Sequence, residues 1–177
     1  MASAYSYAAT VSEGGGDILY TNPNNAAGAP DGTLAVVTST GTPTLISALQ
    51  TIGHTSVNSA IGAGSTLTGV AVHLVWKEAG AGDSVSQVEN GSVIFSSTAA
   101  PASDSLSETV LGGDGQLWGR TVAQWKADAL DIYLTTTHAL TEILSVDSIY
   151  YEFFYTPAPS TGANRRRQAH RRQRPRV

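Results

Sequence analysis

The side chains able to do chemistry are few in type and scattered in position. His54, His73, His138 and His170 fall at no spacing that would place two on one metal ion. The absence of cysteine removes thiol nucleophiles, thiolate metal sites and disulfides together. No Gly-x-Ser-x-Gly elbow is present, and the glycine-rich segments lack the Lys-Ser or Lys-Thr ending of a phosphate loop. Nucleotide hydrolysis and Ser-His-Asp chemistry have no support in this pattern, and the chain is expected not to be an enzyme. Asp104, Glu108, Asp114 and Asp128 could meet in space as a glycosidase pair does, a coincidence that many acids make cheap. Asp17, Asp31, Asp83 and Asp114 offer the oxygen ligands calcium takes, but none sits in an Asp-x-Asp-x-Asp loop, and no cofactor is expected.

Charge is distributed more tellingly than chemistry. All 14 acids precede residue 161, where the only cations are Lys77, Arg120 and Lys126, so the body carries -11. Beyond it, Arg165, Arg166, Arg167, Arg171, Arg172, Arg174 and Arg176 give +7. These seven arginines are the candidate partner-binding residues. They could neutralise phosphates, or dock as guanidinium forks on an acidic protein surface, or remain solvated. With an acidic body on the same chain, docking of the tail of one copy on the body of another is favoured over nucleic acid.

The elements that must carry these residues read as strands. Short runs rich in Val, Ile, Leu, Thr, Tyr and Phe alternate with clusters of Gly, Asn, Asp, Ser and Pro. Strands are predicted near residues 4–11, 17–20, 33–39, 44–51, 66–76, 85–96, 105–111, 129–137 and 146–156. Val70, Val72, Leu74 and Trp76 share one face at period two, which predicts a core face and leaves His73 a half-exposed strand residue opposite it. Leu130, Ile132 and Leu134 should point inward while Asp131, Tyr133 and Thr135 point outward. The aromatic run ending before Pro157 should be the central, last strand. Residues 120–128 read as a short helical turn. Asn22-Pro23 and Asp31-Gly32 are turn chemistry, and Trp118 reads as a core plug.

Many short strands without a long helix predict an all-β fold, an antiparallel β-sandwich of jelly-roll type, over residues 1–156. Residues 157–164 read as a Pro/Ser/Gly linker, and 165–177 as an Arg-rich arm that is disordered unless a partner orders it. No apolar stretch approaches the roughly 20 residues of a membrane-spanning helix. The N-terminus has neither the positive start nor the apolar segment of an export signal, so none is expected.

Several short motifs, in order, resemble β-sandwich domains of tailed-phage virion proteins. They are Tyr20-Thr21-Asn22-Pro23-Asn24-Asn25-Ala26 with Pro30-Asp31-Gly32-Thr33-Leu34-Ala35, then Leu67-Thr68-Gly69-Val70-Ala71-Val72, Leu111-Gly112-Gly113-Asp114-Gly115-Gln116-Leu117-Trp118-Gly119, and Val146-Asp147-Ser148-Ile149-Tyr150-Tyr151. The resemblance covers roughly residues 18–156 and implies a galactose-binding-like or jelly-roll domain. It implies a virion structural protein, foremost a decoration or cementing protein that binds the outer head surface and stabilises it. The partners implied are the major capsid protein or neighbouring virion subunits, with a homo-oligomer, most plausibly a trimer, on the outer capsid surface, where packaged DNA would not be met. Two alternatives stand: a tail or baseplate structural protein, and a carbohydrate-binding module of a virion fibre using exposed aromatics such as Tyr5, Tyr7 and Tyr20.

Overall fold

Turn chemistry and period-two runs together produce ten strands in the computed structural model, which describes residues 1–40, 44–80, 85–91, 93–102, 104–138 and 141–159. The strands are β1 (Ala2–Tyr7), β2 (Thr10–Gly16), β3 (Ala35–Thr40), β4 (Leu45–Ile52), β5 (Thr66–Gly80), β6 (Val85–Asn90), β7 (Val93–Ala99), β8 (Ser107–Asp114), β9 (Tyr133–His138) and β10 (Thr141–Thr156). Two short helices, α1 (Val57–Ile61) and α2 (Val122–Ala127), and a 3-10 turn at Pro23–Ala26 fill the connections.

Among the described residues all ladders are antiparallel. β3 pairs with β10, β4 with β9, β5 with β8 and β6 with β7, as in one long hairpin rolled over on itself. The first sheet runs β1-β10-β5-β8, with β3 also on β10, and the second runs β2-β4-β9-β6-β7. This is the strand order of a jelly roll, with β1 and β2 added as one extra strand on each sheet. β10 is long enough to take both neighbours on one edge, β3 along Thr141–Val146 and β1 along Tyr150–Tyr155.

The core lies between the sheets. Val70, Val72, Leu74 and Trp76 of β5 meet Ile149, Tyr151 and Phe153 of β10, all buried, and Leu49, Val88, Ile132 and Leu134 close it from the second sheet. Leu130, Ile132 and Leu134 do point inward as their alternation predicts, although the strand itself starts only at Tyr133. α2 forms where the helical turn was expected, fixed by a capping box between Thr121 and Gln124. It drives Trp125 fully into the core, where Nε1 donates to the Leu117 carbonyl at 3.0 Å.

Several other boundaries differ from the sequence expectation. Residues 4–11 are two strands in different sheets, because Ala8 and Ala9, small enough to turn a corner, carry the chain from one sheet to the other. Residues 17–20 are not a strand: Gly15 and Gly16 take φ of +99° and +125°, and the Asp17 carboxylate accepts the Ile46 N–H at 3.0 Å. Residues 85–96 break at Asn90-Gly91, with Gly91 at φ +53°, into the β6 and β7 hairpin partners. The last strand begins at Thr141, not at 146, and α1 was not foreseen at all.

The two turn motifs behave as their residues dictate. Asp31 Oδ1 accepts both the N–H and the hydroxyl of Thr33, at 2.8 and 2.5 Å, beside Gly32 at φ +83°. A register shift in β10 between Val146 and Ser148 lets Asp147 Oδ1 accept the N–H groups of Asp31 and Gly32, which ties the opening loop to the closing strand. Trp118 is a half-buried plug: its Nε1 donates to the Val70 carbonyl at 3.0 Å and its ring lies edge-on to Phe95 at 5.1 Å.

Candidate functional site

The alternation that buries Val72 and Leu74 turns His73 to the outer face of the first sheet. Register then decides its neighbours. His73 lies opposite Tyr150 of β10 on one side and Val110 of β8 on the other, while Tyr7 of β1 faces Tyr150 and Tyr5 faces Glu152. Residues opposed across antiparallel strands share a face, so these four strands bring three tyrosines, one histidine and two carboxylates into one outer patch.

His73 is only 6% exposed, not the half-exposed residue expected. The reason is its cross-strand neighbours: the imidazole stacks on the Tyr150 ring at 4.7 Å and 8°, with Tyr5 edge-on at 6.1 Å. Its Nδ1 lies 2.8 Å from Glu108 Oε1 and its Nε2 3.0 Å from Glu152 Oε2. Two carboxylates on opposite sides of one ring require a hydrogen on each nitrogen, or a proton on one carboxyl, for both contacts to be hydrogen bonds. Glu108 Oε1 also accepts the Tyr150 hydroxyl at 2.5 Å. That bond, with the His73 bond and charge behind it, holds the Glu108 carboxyl below its ordinary range. Burial, with Glu108 alongside, pushes the Tyr150 phenol up, and the nearby Glu152 charge raises that of Tyr5. The rim is open: Tyr5 is 51% and Val110 48% exposed, and the Glu108 side chain 44%.

A second polar chain lies inside the sandwich. His138 Nδ1 is 2.5 Å from Glu142 Oε1 and its Nε2 2.7 Å from Ser47 Oγ, and all three residues are buried. The carboxylate accepts Nδ1–H, leaving Nε2 to accept the serine hydroxyl, the acid, imidazole and hydroxyl order of a nucleophile triad. Burial lowers the His138 pKa and pushes that of Tyr20, whose hydroxyl is 3.4 Å from Ser47 Oγ, up to about 12. Ser47 and His138 point into the core with no exposed surface, so the chain as it stands satisfies buried polar groups. The sequence reading missed it because Ser47 and His138 lie 91 residues apart and meet only through the β4 and β9 pairing.

The residues singled out from sequence are dispersed. Glu108 joins the outer patch, Asp114 accepts the Thr68 hydroxyl at 2.6 Å, and Asp128 pairs with Arg120, whose guanidinium covers the Trp125 ring at 4.9 Å. Asp104 lies in the connection before β8. Asp17, Asp31 and Asp114 each bond to their own local partner, and Asp83 lies outside the described residues. Among the described residues no cluster of three or more His, Asp or Glu converges as a metal-ligand set. Tyr20, grouped with the exposed aromatics, is 5% exposed, because it turns inward beside Ser47 in the connection after β2. Arg165, Arg166, Arg167, Arg171, Arg172, Arg174 and Arg176 lie outside the described residues.

The fold and this surface define an antiparallel jelly-roll sandwich with an aromatic and carboxylate patch on one sheet. No family model, curated protein or solved structure matches the chain.

Proposed function

We propose that this protein is a structural subunit of a virus particle, a phage-type decoration protein that binds the outer surface of an assembled head shell and stabilises it. The observation that carries the reading is the pairing, on one chain, of a jelly-roll body at -11 with an Arg arm at +7. Such a chain is self-complementary in charge, so copies set side by side on a lattice attract through arm and body, and steering brings them to acidic neighbours. The motifs that resemble those of phage virion sandwiches, in the same order, support the same reading. Apolar side chains exposed on both outer sheet faces, Val110 and Ile143 on one and Ile46, Val85 and Ile94 on the other, supply contact area for subunit neighbours.

A binder of the assembled shell stabilises it by mass action, in proportion to the logarithm of its concentration over Kd. Head shells prepared without this protein should therefore melt several degrees higher in its presence, saturating with added protein, by scanning calorimetry. An unchanged melting profile at saturating protein would overturn the proposal.

A further inference from the structure

The outer patch of the first sheet has the chemistry that recognises arginine. A guanidinium stacks on a tyrosine face and forks onto a carboxylate, and the patch presents the open Tyr5 ring, the half-buried Tyr7 and the open Glu108 carboxylate, with the charge of Glu152 buried beneath them against His73. Both bonds that Glu108 receives within the cluster land on Oε1, so its Oε2 faces outward on a side chain 44% exposed. The body is acidic elsewhere, but Glu108 combines partial exposure with an oxygen that takes no bond inside the cluster, whereas Asp147 is held by backbone N–H groups, Asp128 by Arg120, and Glu142 by His138 inside the core.

The same chain supplies the cations. The last described residues leave the sandwich where Thr156 pairs with Thr66, with the Ala158 N–H donating to Ser65 Oγ at 3.3 Å. Glu152 lies four residues back along β10, about 13 Å at the strand rise, and the Tyr150 and Glu108 pair lies about 20 Å back. Pro159 lies at most about 10 Å beyond Thr156, and the six steps from Pro159 to Arg165 span up to about 20 Å and the eight to Arg167 up to about 27 Å, enough to bring Arg165–Arg167 to the patch edge at Glu152 and the later arginines over Glu108. A tether of this length raises the local concentration of the arm to the order of millimolar, which favours its own patch over a second copy in dilute solution.

We propose that residues 165–177 fold back onto the outer face of the first sheet and dock on Tyr5, Tyr7 and Glu108 of the same chain, over the buried charge of Glu152. The docked arm neutralises its own body and keeps free copies apart; on a crowded lattice the same contact can be exchanged between neighbours. The inference does not depend on the decoration reading, since it concerns the free protein alone.

Because the full-length chain has no cysteine, two engineered cysteines report the contact cleanly. Val110→Cys with Ala169→Cys places one thiol on the patch and one in the arm. Thr135→Cys with Ala169→Cys places the first on the outer face of the second sheet instead. Under mild oxidation of dilute protein, the patch pair should form an intramolecular disulfide at least about fivefold faster than the control pair. That advantage should vanish in about 1 M salt and shrink on adding Glu108→Gln. Equal rates for the two pairs would overturn the proposal, as would adducts that are only intermolecular, or an advantage indifferent to both salt and Glu108→Gln. Val110 and Thr135 both point away from the core, so neither cysteine should disturb folding, and far-ultraviolet circular dichroism of each variant should match that of the parent.

Discussion

Replacing Glu142 by alanine should cost about 3–5 kcal/mol, an unmade buried hydrogen bond together with a cavity between the sheets. The estimate follows from what is left behind. His138 is fully buried, its Nδ1–H loses the acceptor now at 2.5 Å, and an unmade buried hydrogen bond alone costs about 1–3 kcal/mol. The vacated carboxyethyl volume between the sheets adds a cavity term. For a domain of this size each kcal/mol moves Tm by roughly 2–4 °C, so a drop of about 6–20 °C is expected. Glu142→Gln retains an acceptor for Nδ1–H and should lose only about 1 kcal/mol. The double variant Glu142→Leu with His138→Leu removes both buried polar partners and should be less damaging than Glu142→Ala alone. Urea unfolding followed by tryptophan fluorescence reads all three. The reasoning fails if Glu142→Ala stays within about 1 kcal/mol of the parent, or if glutamine is as harmful as alanine.

Three further outcomes follow from single sites. His54, enclosed by the Ser6 carbonyl, the Thr51 hydroxyl and the Tyr151 ring with Asp131 nearby, and His138, with Ser47, Glu142 and Glu78 around it, are both lowered from 6.5 chiefly by burial. The unfolded chain then takes up protons first, so stability is full above about pH 6.5 and falls as pH drops below it; a urea midpoint equal or higher at pH 5.5 than at 7.5 would contradict this. Gly112→Ala should cost about 2 kcal/mol or more, since the residue sits at φ +100° and its Cβ would lie 2.6 Å from the Val70 carbonyl oxygen and 2.7 Å from the Trp118 ring; a Tm within a degree of the parent would count against it. Glu13→Gln should raise stability by about 1 kcal/mol. Both carboxylate oxygens of Glu13 are buried, with only the Tyr20 backbone N–H nearby to favour the charge, and burial raises its pKa; a lower Tm would refute the inference.

The strand pattern was legible because packing against one core imposes period two: Val70 to Trp76 and Leu130 to Leu134 were placed correctly from alternation alone. Where the chain changed sheets, at Ala8-Ala9, or reversed, at Asn90-Gly91, alternation continued across the break and the sequence showed one strand instead of two. The outer patch was less legible. His73 was visible as an outward residue, but its burial comes from Tyr150, Glu152 and Glu108 on two other strands, and only the register of β10 and β8 against β5 brings them together. The Ser47, His138 and Glu142 chain had one local signal, a histidine and a glutamate four residues apart across a connection, and that spacing points to nothing until the sheets are stacked.

The decoration reading is tested most directly by co-sedimenting the full-length protein with head shells that lack it, over a range of concentrations. Binding should saturate at a fixed number of copies per shell and weaken as salt screens the arm and body charges. Protein that stays in the supernatant at all concentrations, or that pellets without saturating, would contradict it.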